Sequence, residues 1–340
     1  MRSLLTIVVP TYNRAGCLEL LLMTLVKELG GLQEQVAVIV GDNASTDRTP
    51  DVTAAFLGSY SSAAVLRHSS NVGAEENFCR CIEKVDSPYF WIIGDDDLPR
   101  AGVIRQVLNI LVRDEPDLIF LTGDAHRELT SNEPDGPVTT LRPIMLERMA
   151  FARRAHVHLT FISAVVVNRD ALMATHAAVS LRRFSGTSLV QLGWVLALLK
   201  TGLRFMYVPQ KCILALQGNT GGYSVLRVFG HNFSMIVTQV FGSGSPIANA
   251  IVRRCVAQYL PSLLWSLRFG SVGTFDCEDP RSALRPQLRT YLSYWLFLIP
   301  IASLPRPLAW VVLKTARLSS IAISLHDRLL ENLSSGAREQ

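Results

Sequence analysis

Tyr89-Phe90-Trp91-Ile92-Ile93-Gly94-Asp95-Asp96-Asp97 is an apolar run that ends, one glycine later, in three adjacent carboxylates. Adjacent carboxylates repel one another, so the triplet calls for a cation. A hard divalent ion such as Mg²⁺ or Mn²⁺, held by oxygen ligands and bridging phosphates, suits that donor set. The alternative is a solvated acidic turn after a strand. The surrounding sequence favours the metal reading, because four more segments repeat the pattern of an apolar strand followed by polar residues.

The chain opens on Leu4-Leu5-Thr6-Ile7-Val8-Val9-Pro10, a β-branched run without polar alternation, as expected of a strand buried on both faces of a parallel sheet. Thr11-Tyr12-Asn13-Arg14 follows as a loop, and residues 18–29 have a helical pattern. Val36-Ala37-Val38-Ile39-Val40 predicts a second strand ending in Gly41-Asp42-Asn43-Ala44-Ser45-Thr46-Asp47. Pro50 suits the first turn of the next helix. A strand over 63–66, a helix over 74–84, the strand above, a helix over 99–112 and a fifth strand over 118–121 complete the series. This alternation predicts an α/β fold with a doubly wound, mostly parallel sheet. Such sheets bind ligands beyond the carboxyl ends of their strands, where every polar motif above falls.

Thr6 to Arg14 resembles the opening of the family 2 glycosyltransferases of the GT-A fold. Asp42 to Thr49 is similar to that family's second motif, and Asn71-Val72-Gly73, with Asn77 in the following helix, to its third. The acidic triplet falls where the family carries its DxD metal motif. Four motifs in order, over roughly residues 4–122, make the resemblance specific. It implies a nucleotide-diphosphate sugar as donor and Mn²⁺ or Mg²⁺ as cofactor. Pro10, Thr11 and Tyr12 would border the base, and Arg14, Asn71 and Asn77 would belong to the same donor site. Asp42 would accept a hydrogen bond from base or ribose. Asp95, Asp96 and Asp97 would hold metal and ribose, the metal neutralising the diphosphate leaving group as a Lewis acid. Local alternatives stand beside these roles: Asp42 and Asp47 are also suited to capping a turn and a helix.

The triplet departs from the family pattern, since the motif's usual first Asp, aligned on the downstream Leu98-Pro99, falls on Gly94. Asp96 is the first choice for the metal under either alignment. Asp95 then lies nearer the ribose, and Asp97 is available to cap the helix expected near Pro99. On the acceptor side, Val165-Val166-Val167 predicts a strand, residues 170–176 a helix start and residues 189–200 a helix, with Gly202 as its left-handed cap and a strand over 205–209. This order resembles the segment where inverting relatives place a catalytic Asp, yet residues 184–210 contain no Asp or Glu. A transfer to a hydroxyl needs a base, for which a carboxylate or a His is the usual supplier. Asp124 and His156 are the candidates, with His158, His176 and His231 alternatives by residue type. The Gly-Asp-Asp-Asp run, Ser185-Gly186-Thr187-Ser188 and Gln217-Gly218-Asn219 resemble the abequosyltransferase-like enzymes of O-antigen assembly.

The organisation expected is a nucleotide-sugar half over 1–125, an acceptor half over 126–220 and a mainly helical, basic region over 221–340. That last region holds 12 Lys/Arg and 6 Asp/Glu, the remainder 21 and 22, so the net charge of +5 is C-terminal in origin. Residues 290–305 are uncharged and rich in Tyr, Trp and Leu, but at sixteen residues they fall short of the roughly 20 that span a bilayer, and Pro300 breaks them. With flanking Arg289 and Arg306 they suit a membrane surface. A buried helix or a dimer contact is the alternative. No nucleic acid is expected as partner, because the basic residues form no polar face. Met1-Arg2-Ser3 leads directly into a strand, so no signal peptide is expected, and the six cysteines, with no CxxC pair, are expected to be reduced thiols in a cytoplasmic setting. The tail from Ser334 is expected to be disordered.

The function expected is sugar transfer to a lipid-linked glycan on the inner face of the cell membrane. A non-catalytic nucleotide-sugar-binding scaffold is the alternative. A sugar-phosphate nucleotidyltransferase is disfavoured, because Pro-Thr-Tyr-Asn-Arg stands where its Gly-rich loop would be.

Overall fold

The computed structural model describes residues 2–126, 136–175, 180–216, 224–270 and 278–336. They divide into two compact units: Met1–Glu147 with His158–Gln217, and Arg148–Val157 with Gly218–Gln340.

The first unit is built on a mixed sheet. Its strands are β1 (Leu5–Thr11), β2 (Val36–Asp42), β3 (Ala63–Arg67), β4 (Tyr89–Ile92), β5 (Asp97–Pro99), β6 (Leu118–His126), β7 (Ile144–Leu146), β8 (Val165–Asn168) and β9 (Phe205–Leu216). The order is β3-β2-β1-β4-β8-β6-β9-β5, with β7 also on β9. β1, β2, β3 and β4 are all parallel, as is β6 with β9, and these are the long ladders. β8 runs antiparallel between β4 and β6, and β5 and β7 are three-residue antiparallel additions. The α/β expectation holds for this unit, and the short antiparallel strands are what the apolar pattern left unseen.

The helices are α1 (Ala15–Glu28), α2 (Thr49–Ser59), α3 (Ala74–Glu83), α4 (Val103–Asp114), α6 (Arg169–Ala174) and α7 (Leu192–Thr201), with α5 (Arg148–Ala155) in the second unit. Leu5, Ile7 and Val9 share one core with Leu18, Leu21, Leu22 and Leu25 of α1 and with Val103, Val107 and Leu111 of α4. The intervening Thr6 and Val8 are buried too. Two covered faces explain why β1 carries no polar alternation.

Three local expectations are corrected. The helix expected from Pro99 begins at Val103, because Leu98 and Pro99 pair with Leu214 and Ile213 in β5, and Gly102 (φ 82°) makes the left-handed turn between. Gly202 is not a left-handed cap: its φ is −68° and ψ 170°. Glycine is needed there for space, since a Cβ would stand 2.8 Å from the Leu198 carbonyl and 2.9 Å from Asp117 Oδ2. The strand expected over 205–209 runs on to Leu216 despite Pro209.

The second unit is helical: α5, α8 (Phe233–Phe241), α9 (Pro246–Arg254), α10 (Leu260–Phe269), α11 (Pro280–Leu288), α12 (Ile299–Ser303) and α13 (Arg306–Gly336). Wide π-type turns lie at Cys255–Tyr259 and Tyr294–Leu298, ahead of Pro261 and Pro300, each of which sits in the first two positions of the α-helix that follows. Pro300 therefore does not break the 290–305 segment. The wide turn removes the carbonyl its ring would strike, and its missing N–H falls where none is used. Tyr294, Leu298 and Ile301 point inward, whereas Leu292, Trp295 and Leu296 are exposed. The tail expected to be disordered from Ser334 is helical through Gly336.

Candidate active site

Parallel pairing places Thr11 opposite Asp42 and Val8 opposite Ile92, so the ends of β1, β2 and β4 lie along one edge of the sheet. The acidic triplet emerges there and meets the loop after β1. Thr11 Oγ1 donates to Asp95 Oδ2 at 2.7 Å. Arg14 Nη1 lies 3.0 Å from Asp95 Oδ1 and 2.8 Å from Asp96 Oδ2, so one guanidinium nitrogen is shared by two carboxylates. Burial raises the Asp95 carboxyl above its ordinary range, partly offset by the Thr11 hydroxyl and by Arg14. Those two carboxylates in turn raise Arg14 against the opposing effect of burial.

Asp97 has a different partner. It is buried and accepts a hydrogen bond from the Ser163 hydroxyl, and burial pushes its carboxyl up to about 7. The Ser163 oxygen also accepts from the Gly94 N–H at 2.9 Å, and its carbonyl accepts from Trp91 Nε1 at 2.8 Å. Asp97 thus does not cap the following helix, which starts beyond Gly102. Among the described residues no three His, Cys, Asp or Glu side chains converge on one point. Asp95 and Asp96 do converge, on a cation, and two carboxylates completed by substrate phosphates suit Mg²⁺ or Mn²⁺. The donor set of the two carboxylates fits such an ion, and Asp96 is the less enclosed of the two.

The second motif is a closed turn. Asp42, 1% exposed, accepts from Ser45 N at 2.9 Å and faces Arg67 Nη1 at 3.3 Å. Asp47 accepts from Ala15 N at 2.9 Å and from Thr49 N at 3.0 Å, tying the starts of α1 and α2 together. This is the capping use weighed for it above. Asn13, at φ 52°, accepts from Thr46 N. Asn71 accepts from Asn43 Nδ2 and from Gly73 N, holding the third motif against the second. Asn77 is buried deeper: its amide donates to the Gly41 carbonyl and its oxygen meets His68 Nε2, so it joins α3 to β2. Pro10 is buried in β1, and Tyr12 stands 42% exposed at the rim.

The model of the family described as Glycosyl transferase family 2 matches residues 6–174. Over those residues the chain is a family 2 glycosyltransferase domain. Abequosyltransferase RfbV of Salmonella typhimurium is similar, at 32% identity over 28% of this chain, and the match spans 28% of that relative's own length. The fold is similar to that of S. aureus TarS 1–349 in complex with UDP-GlcNAc (TM-score 0.58, 14% identity, 94% of this chain and 91% of that one). The mannosyltransferase PcManGT from Pyrobaculum calidifontis, in complex with GDP-Man and Mn²⁺, is similar at TM-score 0.50 and 15% identity, over 94% of this chain and 88% of that one.

Beyond the matched residues, the segment without carboxylates, 184–210, is held by acids from elsewhere in the first unit. Glu75 of α3 accepts from Gly186 N at 2.6 Å and from Val190 N at 3.2 Å. Glu76 receives Arg182 Nε at 2.7 Å and Arg80 Nε at 2.7 Å. Ser188 (φ 61°) and Gly186 (φ 83°) give this loop two left-handed residues, and Gln191 Nε2 donates to the Thr160 carbonyl. Sequence reasoning missed Glu75, Glu76 and Ser163. The only trace of the first two was an acidic first turn on α3, which reads equally well as ordinary helix capping.

The base candidates are dispersed. Asp124 lies on β6 with Lys211 Nζ at 2.6 Å and His126 Nε2 at 3.5 Å. His156 belongs to the second unit, at φ 26°, as does His231, whereas His158 is exposed in the first. His176 and Gln217-Gly218-Asn219 lie outside the described residues, as does Cys277, and the other five cysteines are free thiols.

The Arg182–Glu76–Arg80 cluster has a pH signature. Hydrogen bonds from Arg182, then Arg80, hold the Glu76 carboxyl at about 2 against an ordinary 4.5. A depressed folded-state value means the stabilisation is complete above 4.5 and is lost as pH falls toward 2. Glu76→Gln is expected to lower unfolding free energy by about 1 kcal/mol at neutral pH, a figure already reduced for the solvent-exposed arginines. In urea titrations across pH, wild type and variant should converge only as pH falls to about 2. A difference that does not shrink between pH 4.5 and about 2 would contradict the ion-pair account.

Proposed function

We propose that the protein transfers a hexosyl or deoxyhexosyl group from a nucleotide-diphosphate sugar to a lipid-linked glycan of surface polysaccharide or O-antigen assembly, at the cytoplasmic face of the membrane. The observation that carries the reading is the pair Asp95 and Asp96 sharing one cationic nitrogen at the carboxyl edge of the parallel strands. The nucleotide sugars bound by TarS and PcManGT support the donor class, and the partial likeness to an abequosyltransferase supports the acceptor class.

Asp42 accepts a hydrogen bond from the base or ribose, within the turn that Ser45 and Arg67 keep rigid. Tyr12 borders the base from the exposed rim. Asp96, with Asp95, would hold a divalent metal, which when bound would supply Lewis-acid stabilisation of a departing diphosphate. Arg14 balances the two carboxylates and is placed to follow the diphosphate. The bond between the anomeric carbon and the diphosphate oxygen breaks. The acceptor oxygen bonds to that carbon, and its proton passes to a base. Glu75 orders the acceptor-side loop, since both its oxygens take backbone N–H groups.

The test is release of nucleoside diphosphate from a panel of donor sugars, with and without lipid extracted from bacterial membranes as acceptor. Release that requires the lipid, and is lost in Asp96→Asn, is expected. Donor binding without release under any acceptor would instead make the protein a nucleotide-sugar-binding scaffold.

A further inference from the structure

In the second unit, α13 is apolar on two sides. Its inner side buries Ala309, Leu313 and Ala316, and the helix packs on α10 and α12. Its outer side carries Leu308, Trp310, Val311, Leu318, Ile321 and Leu325, each between 49% and 68% exposed. Such a helix has an apolar face that its own unit leaves uncovered. Basic residues lie along it: Arg306, Lys314 and Arg317, with the Lys314 ammonium 4.9 Å from the centroid of the Trp310 ring. Between Pro280 and His326 the chain has six Lys/Arg and no Asp or Glu.

We infer that the outer face of α13 docks on an anionic lipid bilayer, lying in the plane of the interface. The charge decides the occupant. A second copy would bring the same positive surface against itself, whereas anionic headgroups neutralise it while the acyl boundary takes up the apolar residues. Arg306–Leu325 is long and apolar enough to cross a membrane, with a mean hydropathy of 1.4. Crossing would put Lys314 and Arg317 near the bilayer centre and pull Ala309, Leu313 and Ala316 from their partners, so the in-plane position is favoured. The helix adds to the surface expected of 290–305, where Leu292, Trp295 and Leu296 are exposed as well. The inference rests on the proposed function only for the purpose of the contact, delivery of a lipid-linked acceptor.

The test is flotation of the full chain with vesicles of phosphatidylcholine alone or with phosphatidylglycerol added, at low and at high salt. Nucleoside diphosphate binding is measured on the same samples. Wild type should float with anionic vesicles and far less with neutral ones or at high salt. Leu318→Glu/Ile321→Glu should lower the bound fraction by about tenfold or more, and Lys314→Glu/Arg317→Glu should act similarly through charge. Nucleotide binding should be unchanged in both. Equal flotation of wild type and variants would overturn the inference, as would salt-independent binding to neutral vesicles or a concentration-dependent dimer abolished by the same substitutions. Flotation without any nucleotide binding would leave the docking face standing and remove the transferase reading instead.

Discussion

Asp96→Asn is expected to abolish the Mn²⁺ dependence of nucleoside diphosphate binding. Asp96 and Asp95 approach one nitrogen of Arg14 at 2.8 and 3.0 Å, so their oxygens already define a position for positive charge. An amide of the same shape keeps the packing but replaces an anionic ligand with a neutral one. Affinity in the presence of the metal should fall by about 10–100-fold, the range typical of lost support around a metal. Transfer should fall further, by about 10²–10³-fold, because charge stabilisation on the leaving group counts most in the transition state. Binding without metal should be little altered. Circular dichroism separates this from misfolding. A variant that keeps metal-stimulated binding would transfer the ligand role to another carboxylate.

The second large effect concerns folding of the same edge. Gly41 sits in β2 directly before Asp42, and a Cβ there would stand 2.3 Å from Cys81 Sγ and 2.8 Å from Asn77 Oδ1. Neither neighbour has room to move: Cys81 is fully buried, and Asn77 is fixed by Gly41 and His68. Gly41→Ala is therefore expected to cost about 3 kcal/mol, at the upper end for overpacking, and to displace Asp42 with it. Urea denaturation gives the value. Adding Cys81→Ala removes the nearer clash and should recover part of the loss. A Gly41→Ala protein with an unchanged midpoint would contradict the packing of α3 on β2.

How far the sequence carried this account depends on the kind of interaction. β1, β2 and β4 were legible because burial on both faces leaves only apolar residues, a pattern few other elements produce. Their polar termini were legible for the same reason, since a motif stands out where such a run stops. The three-residue strands β5 and β7 carry no periodicity, so Pro99 reads in the sequence as a helix start. The π-type turns before Pro261 and Pro300 were invisible, because proline signals a break unless the preceding turn has widened. Long-range partnerships were the least legible. Nothing in Ser163 announces that it holds Asp97, nor in Glu75 that it orders a loop more than a hundred residues later. The helix α13 carries a weak sequence signal because its apolar residues occupy two sides and blur the amphipathic pattern.

The most direct measurement of the central claim is calorimetric titration of the protein with UDP, GDP, CDP and dTDP, each with and without Mn²⁺. The arrangement of Asp42, Asp95 and Asp96 leads to one expected result: a single nucleotide binds in a metal-dependent manner, and Asp96→Asn removes that dependence. Absence of binding by all four, in either condition, would contradict the claim that this edge of the sheet is a donor site.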